Sequence, residues 1–177
     1  MDFSVLAIRR QSDRKYLNKA VEKEKIMQCL ETARLSPSAN NSQPWKFIVV
    51  DDQTLKEQIA DCAHSMGMNA FTHQAPLIIA VVIEKQNILS SVGSILKDKP
   101  YYLLDIGMAV NQLCLQAADI GLGSCIIGWF NEKKVKKLLE ISSSKRVPLL
   151  ITLGYPASET RIKKRKTIDE ITSWNKY

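Results

Sequence analysis

Two arginines flanking a serine at alternate positions, Arg10-x-Ser12-x-Arg14, are the first residues of this chain whose types and spacing suit chemistry. In an extended segment alternate side chains share one side. Two guanidinium forks and a hydroxyl would then converge, a donor set that grips phosphate through bidentate, charge-assisted hydrogen bonds. Taken alone, the triplet reads more readily as ordinary solvated charge near a terminus. A second basic run, Arg161-Ile162-Lys163-Lys164-Arg165-Lys166, stands toward the other end of the sequence. Between them, Ser36-Pro37-Ser38-Ala39-Asn40-Asn41-Ser42-Gln43-Pro44-Trp45 packs two prolines, small side chains and amides into a run ending in an indole. Proline fixes φ and removes a backbone donor, while Ser and Asn offer short hydrogen bonds to local backbone or to a ligand. Such a loop suits the wall of a binding site better than a flexible connector.

Other chemistries find less support. His64 and His73 are nine apart and have no paired cysteines beside them, so no metal-ligand spacing appears and no metal is expected. Cys29, Cys62, Cys114 and Cys125 form no CxxC pair, and a disulfide framework is not expected in a chain of this size and class. Gly121-Leu122-Gly123-Ser124 follows a helical pattern and precedes a strand-like one, the reverse of a dinucleotide-binding fingerprint, and reads as a helix stop with a tight turn. The formal charge of +7 is compatible with nucleic acid or an anionic cofactor. Lys133, Lys134, Lys136 and Lys137 read as the solvated face of a helix. A basic, non-enzymatic binding module is an alternative, but the 161–166 run lacks interleaved aromatics or a reader motif.

These residues need a scaffold. A chain of 177 residues, 45% hydrophobic, is long enough for one domain, residues 1–177, with a real core. The N-terminus lacks the basic start and apolar middle of a signal peptide, and no apolar span reaches the roughly 18–20 residues of a membrane helix; a cytoplasmic protein is expected. Helices are predicted over 2–8, 22–35 and 52–62, the last with Asp52 as N-cap. Residues 47–50 and 77–83 read as strands, the second an apolar β-branched run suited to the centre of a sheet. Residues 64–74 read as a loop or broken helix, and 86–100 as an indistinct segment suited to a lid. The pattern over 101–120 is the strongest helix; it is apolar nearly all round and therefore buried in the domain or at a subunit interface. A strand over 124–130, a helix over 132–140 and a strand over 148–153 follow. Helices lead and strands mix irregularly, so an α+β sandwich is expected rather than regular βαβ winding.

In this order, Arg10-x-Ser12-x-Arg14, the Pro-Ser-Ala-Asn-Asn-Ser-Gln-Pro-Trp loop, the helix ending Ala117-Ala118-Asp119-Ile120-Gly121-Leu122-Gly123-Ser124, Ile126-Ile127-Gly128, and Gly154-Tyr155-Pro156-Ala157 before the basic run closely resemble the FMN-dependent nitroreductase family. The resemblance covers nearly the whole chain. It implies an α+β three-layer sandwich, a mostly antiparallel mixed sheet flanked by helices, in an intertwined homodimer with FMN in two clefts between subunits. It implies no catalytic side chain, because the flavin carries the chemistry, with NAD(P)H as electron donor and an electron-poor acceptor such as a nitroaromatic or quinone in a ping-pong cycle. By the same resemblance Arg10, Gln11, Ser12 and Arg14 form the phosphate-binding turn, and Lys164 and Arg165 close over it. Pro37, Ser38, Ala39, Asn40 and Asn41 form the loop donated by the partner, Asn69 reads the flavin's pyrimidine edge, and Ile127 and Gly128 lie beside the ring. Two departures stand out: Gln11 where the family often has a second arginine, and Trp129 where many relatives have a small residue. Relatives that dehalogenate iodotyrosine or fragment reduced flavin supply alternative acceptors.

Overall fold

The computed structural model describes residues 2–64, 68–84 and 99–177. The segment expected to act as a lid, 86–100, lies outside the described residues except for Lys99 and Pro100.

The apolar run Leu77–Ile83 forms β2 and organises the molecule. It pairs antiparallel with β1, Trp45–Val50, on one side and with β4, Leu149–Gly154, on the other. Strand β3, Gly123–Ile127, pairs antiparallel with β4, giving the order β1-β2-β4-β3. Because side chains alternate along a strand, β2 feeds two cores. Leu77, Ile79 and Val81 join Ile26, Cys29 and Ala33 of helix α2, Lys23–Arg34, and Ile106, Val110 and Leu113 of the 19-residue helix Tyr101–Asp119. Ile78, Ala80 and Val82 join Ile59, Ala60 and Ala63 of α3, Gln53–Ala63, and Val135 of the short helix Glu132–Leu138. With α1 at Phe3–Arg9, the long helix is α4 and the short one α5. Helices cover both faces, so β2 is buried on both sides, as its unbroken β-branched sequence requires.

The expected α+β architecture is present, with one correction to the sheet. Among the described residues its four strands pair antiparallel throughout rather than as a mixed sheet, and parallel pairing appears as a single bridge, Ser12 to Ser124. Strand β3 also stops at Ile127, three residues short of the expected end. Its register puts Ile127 opposite Leu150, so continuing the ladder would bring Trp129 to Pro148, which has no N–H to donate. Gly121, at φ 84°, ends the α4 region as the sequence suggests, in a conformation that favours glycine. Asp52 caps α3 by accepting from Leu55 N–H at 2.8 Å. A four-residue helix, Ile168–Ile171, is α6. No described helix is long and apolar enough to cross a membrane.

Candidate functional site

The two ends of the chain meet on β3 and β4. Ser12 bridges Ser124, and Asp13 N–H donates to the Ser124 carbonyl at 2.9 Å. Three residues on, Leu17 N–H donates to Tyr155 and Ala157 N–H donates to Lys15, each near 3.0 Å. The chain after β4 therefore runs back beside the N-terminal turn, and Arg161–Arg165 comes to lie against residues 10–14. Two segments separated by nearly the whole sequence make one cleft. Six cations line it, Arg10, Arg14, Arg161, Lys163, Lys164 and Arg165, together with Ser12 and Gln11 and without a carboxylate.

Some of those cations also frame the cleft. Arg161 Nη2 donates to the Ser12 carbonyl at 2.6 Å, and Lys163 Nζ donates to the Arg10 carbonyl. Burial, then the charges of Arg10, Arg165 and Arg161, holds the Lys163 ammonium below the ordinary lysine value. Like charges packed this closely repel one another, an arrangement that an anion relieves. Gln11 is engaged at four hydrogen bonds within the chain rather than held out as a ligand. Alternation turns Asp13 inward from its neighbours, to only 6% exposure. Burial raises its pKa above the ordinary aspartate value, opposed by hydrogen bonds from Gln11 and Ser124 and by Arg161 and Arg10. The missing side chain of Gly123 makes room for it: a β-carbon there would sit 2.7 Å from Asp13 Oδ2.

The second group of expected residues lies at the far end of β3. Asn69, in the left-handed region at φ 59°, caps the 3-10 turn Ala70–Gln74. Its side-chain NH2 donates to the Ala63 carbonyl at 3.3 Å and to the Trp129 carbonyl at 3.2 Å, so it fixes the turn that follows Ile127 and Gly128. Any edge it offers a ligand is Oδ1. Gly128 is exposed, and a β-carbon on it would meet nothing nearer than Leu149 Cδ2 at 4.0 Å. Arg14 links the two groups, its guanidinium carbon 5.9 Å from the centre of the Phe71 ring.

The third group, Pro37 to Asn41, does not join the cleft lining. The loop adopts a 3-10 turn at Ala39–Asn41, with Asn40, Asn41 and Gln43 at φ of 51°, 53° and 45°. Ser38 Oγ accepts from Gln43 N–H at 2.9 Å. Ala39 N–H donates to both carboxylate oxygens of Asp105, at 3.2 Å each. Asp105, on α4, is 3% exposed, and burial raises its pKa against that one backbone donor.

Four contributors were not singled out from sequence: Asp13, Asp105, Arg161 and Lys163. Two had a signal. Asp13 alternates with Ser12 and Arg14, so it must face the other way, and Asp105 is a lone acid in the first turns of an apolar helix. Arg161 and Lys163 are set apart from their basic neighbours by reaching the Ser12 and Arg10 carbonyls across the chain.

The family model described as Nitroreductase family matches residues 7–68 and 64–155. An oxygen-insensitive NADPH nitroreductase of Helicobacter pylori is 31% identical over 174 residues, covering 81% of this chain and 82% of the relative. An iodotyrosine deiodinase of Thermotoga neapolitana is 27% identical over 163 residues, covering 85% of this chain and 87% of the relative. The solved structure of an FMN-dependent nitroreductase from Clostridium difficile superposes with a TM-score of 0.78 at 28% identity, covering 97% of this chain and 98% of that one. With the family model matched from residue 7 to residue 155 and a nitroreductase 31% identical over most of both chains, the chain belongs to the nitroreductase family of oxidoreductases.

Proposed function

We propose that this protein binds FMN and passes hydride from NADH or NADPH to an electron-poor acceptor, such as a nitroaromatic or a quinone, in two half-reactions at one site. The observation that carries the reading is the cleft between the chain ends, lined by six cations and no carboxylate in a nitroreductase-family chain. That donor set fits a phosphate ester: Arg10, Arg14, Lys164 and Arg165 supply charge and Ser12 a hydroxyl.

Strand β3 then supplies the spacing. From Ser124, beside the turn, to Gly128 is four residues, roughly 13 Å at the usual rise of a strand. A phosphorylated sugar-alcohol chain carrying a flat ring suits that span. Gly128 leaves open surface where such a ring needs close approach, and Asn69 holds the Trp129 carbonyl so that the turn keeps its shape. When bound, the flavin supplies the centre that accepts and returns hydride. The chain's part is to hold the phosphate in positive charge and orient the ring; no side-chain acid or base is assigned.

The same reading makes the protein a homodimer in which the Pro37–Asn41 loop of one subunit faces the flavin of the other. Support comes from α4, where Leu104 and Met108 are 59% and 41% exposed and Gly107 has no neighbour within 4 Å of a β-carbon. A glycine inside a helix costs about 1 kcal/mol relative to alanine, and nothing among the described residues accounts for it. Phe3 and Ile8 of α1 and Trp174 beyond α6 are further exposed apolar side chains.

The test is a visible spectrum of the purified protein, with FMN added if it is colourless, followed by NADH or NADPH without oxygen. Flavin absorbance that bleaches with either nucleotide supports the reading, and a protein that takes up no FMN ends it. A panel of nitroaromatics, quinones and halogenated tyrosines against the reduced protein then ranks acceptors.

A further inference from the structure

The turn at residues 10–14 carries one amide side chain among its charges, and that side chain is fully used. Gln11 Oε1 accepts from Arg161 N–H at 3.0 Å and from Arg161 Nε at 3.2 Å. Gln11 Nε2 donates to Asp13 Oδ1 at 2.8 Å and to the Glu159 carbonyl at 3.2 Å. A primary amide offers two acceptor and two donor positions, so all four are engaged. One side chain thus ties the N-terminal turn to the strap that brings Lys164 and Arg165 to the cleft.

Residue type decides whether such a tie can form. Asp13 requires a donor and Arg161 requires an acceptor. A lysine or arginine at position 11 would satisfy Asp13 and repel Arg161. A glutamate would satisfy Arg161 and repel Asp13. An amide matches both, and it adds no charge where Arg10, Arg161, Lys163 and Arg165 already repel one another.

We propose that Gln11 is a positioning residue of the anion cleft: by matching the Asp13 acceptor to the Arg161 donors it seats residues 159–165, and so sets where Lys164 and Arg165 meet the bound anion. The proposal deepens the flavin reading and rests on it for the identity of that anion. The tie itself exists without ligand.

Exchanging the donor and acceptor roles tests it. Gln11→Glu sets a second carboxylate against Asp13. Asp13→Asn allows the NH2 of residue 13 to face the NH2 of Gln11. The double variant restores a donor opposite an acceptor at the Asp13 and Arg161 contacts and keeps the charge of the pair, leaving the Glu159 carbonyl as the one contact without its donor. Two quantities are read: hydrogen exchange at the Arg161 amide without ligand, and affinity for FMN beside riboflavin, which lacks the phosphate. Each single variant is expected to speed the exchange and weaken FMN about tenfold while sparing riboflavin, and the double to return both to within about threefold of the wild type. Losses that simply add in the double variant, or single variants with unaltered exchange, overturn the proposal. Should Asp13→Asn not fold, Gln11→Leu on the partly exposed turn carries the test, since unaltered Arg161 exchange there also overturns it. If the protein takes no FMN, the flavin reading fails, and the exchange measurements still judge the tie.

Discussion

The anion cleft and the 36–45 loop are both irregular segments, but they are built in opposite ways. In the cleft, the chain is held by side chains reaching to main-chain carbonyls, Arg161 to Ser12 and Lys163 to Arg10, and the result is a surplus of like charge. In the loop, main chain is held by side-chain acceptors: Ser38 takes Gln43 N–H, and Asp105 takes Ala39 N–H. The loop also keeps three residues in the left-handed region, where asparagine is the best-tolerated type after glycine. Its turn is therefore held by backbone contacts made inside the subunit, whereas the cleft gathers like charges that an anion would relieve. The difference teaches where mutations should separate binding from folding. A cleft cation with no carbonyl to hold, such as Arg14, can be removed at little cost to the fold, and a group that supports backbone shape, Arg161 and Lys163 included, cannot.

Arg14→Ala should give the largest effect on binding. Loss of one charged hydrogen-bond partner costs about 1.5–3 kcal/mol, hence roughly 10- to 150-fold in FMN affinity, read by quenching of flavin fluorescence. The urea midpoint of the ligand-free protein should stay put or rise slightly, because a repelling charge has gone. Gly123→Ala should do the reverse. Its β-carbon meets Asp13 Oδ2 at 2.7 Å, and overpacking of that kind typically costs 1–3 kcal/mol, read as a fall in ligand-free stability. If Arg14→Ala unfolds the protein as readily as Gly123→Ala, the contrast between charge and frame collapses.

How much of this was legible in the sequence follows the same division. The cores were: Leu77–Ile83 announces a strand buried on both faces, and 101–120 announces a helix apolar nearly all round. The basic turn and the proline-bounded loop were visible because side-chain type and alternation are local properties. The pairing that brings residue 15 to residue 157 was not, since it depends on which strand follows β4 across the sheet. That is why the roles of Arg161 and Lys163 stayed hidden while Lys164 and Arg165 rested on resemblance. The end of β3 was also misplaced, because Pro148 acts on Trp129 only through the register. Gln11 looked like a weakened cation and became interesting only once Asp13 and Arg161 stood on either side of it.

On the loop side, Asp105→Asn should reveal itself through pH. Burial raises the Asp105 carboxyl above the ordinary 3.8, with Ala39 N–H opposing. A carboxyl harder to ionise in the folded state favours folding when protonated, and this advantage is lost as pH rises through the folded value. Asparagine keeps an oxygen for Ala39 N–H and has no such dependence. Urea midpoints from about pH 4 to 7 should thus show the variant gaining on the wild type as pH rises. A difference that shrinks with rising pH would mean that Asp105 is stabilised as an anion, and the loop would then share the cleft's reliance on charge.

Gly128→Ala should have the smallest effect on the fold and the most discriminating effect on the ligand. The added methyl meets only Leu149 Cδ2, at 4.0 Å, on an exposed turn, so ligand-free stability should change by no more than about 0.5 kcal/mol. Nothing among the described residues then asks for glycine at this position. If a flat ring does, Gly128→Ala must weaken riboflavin as well as FMN, whereas Arg14→Ala weakens FMN and spares riboflavin. The two variants together assign ring and phosphate to opposite ends of β3. A Gly128→Ala protein that binds both flavins like the wild type would detach the ring from this turn while leaving the phosphate in the cleft, because the cations that line the cleft lie at the other end of β3.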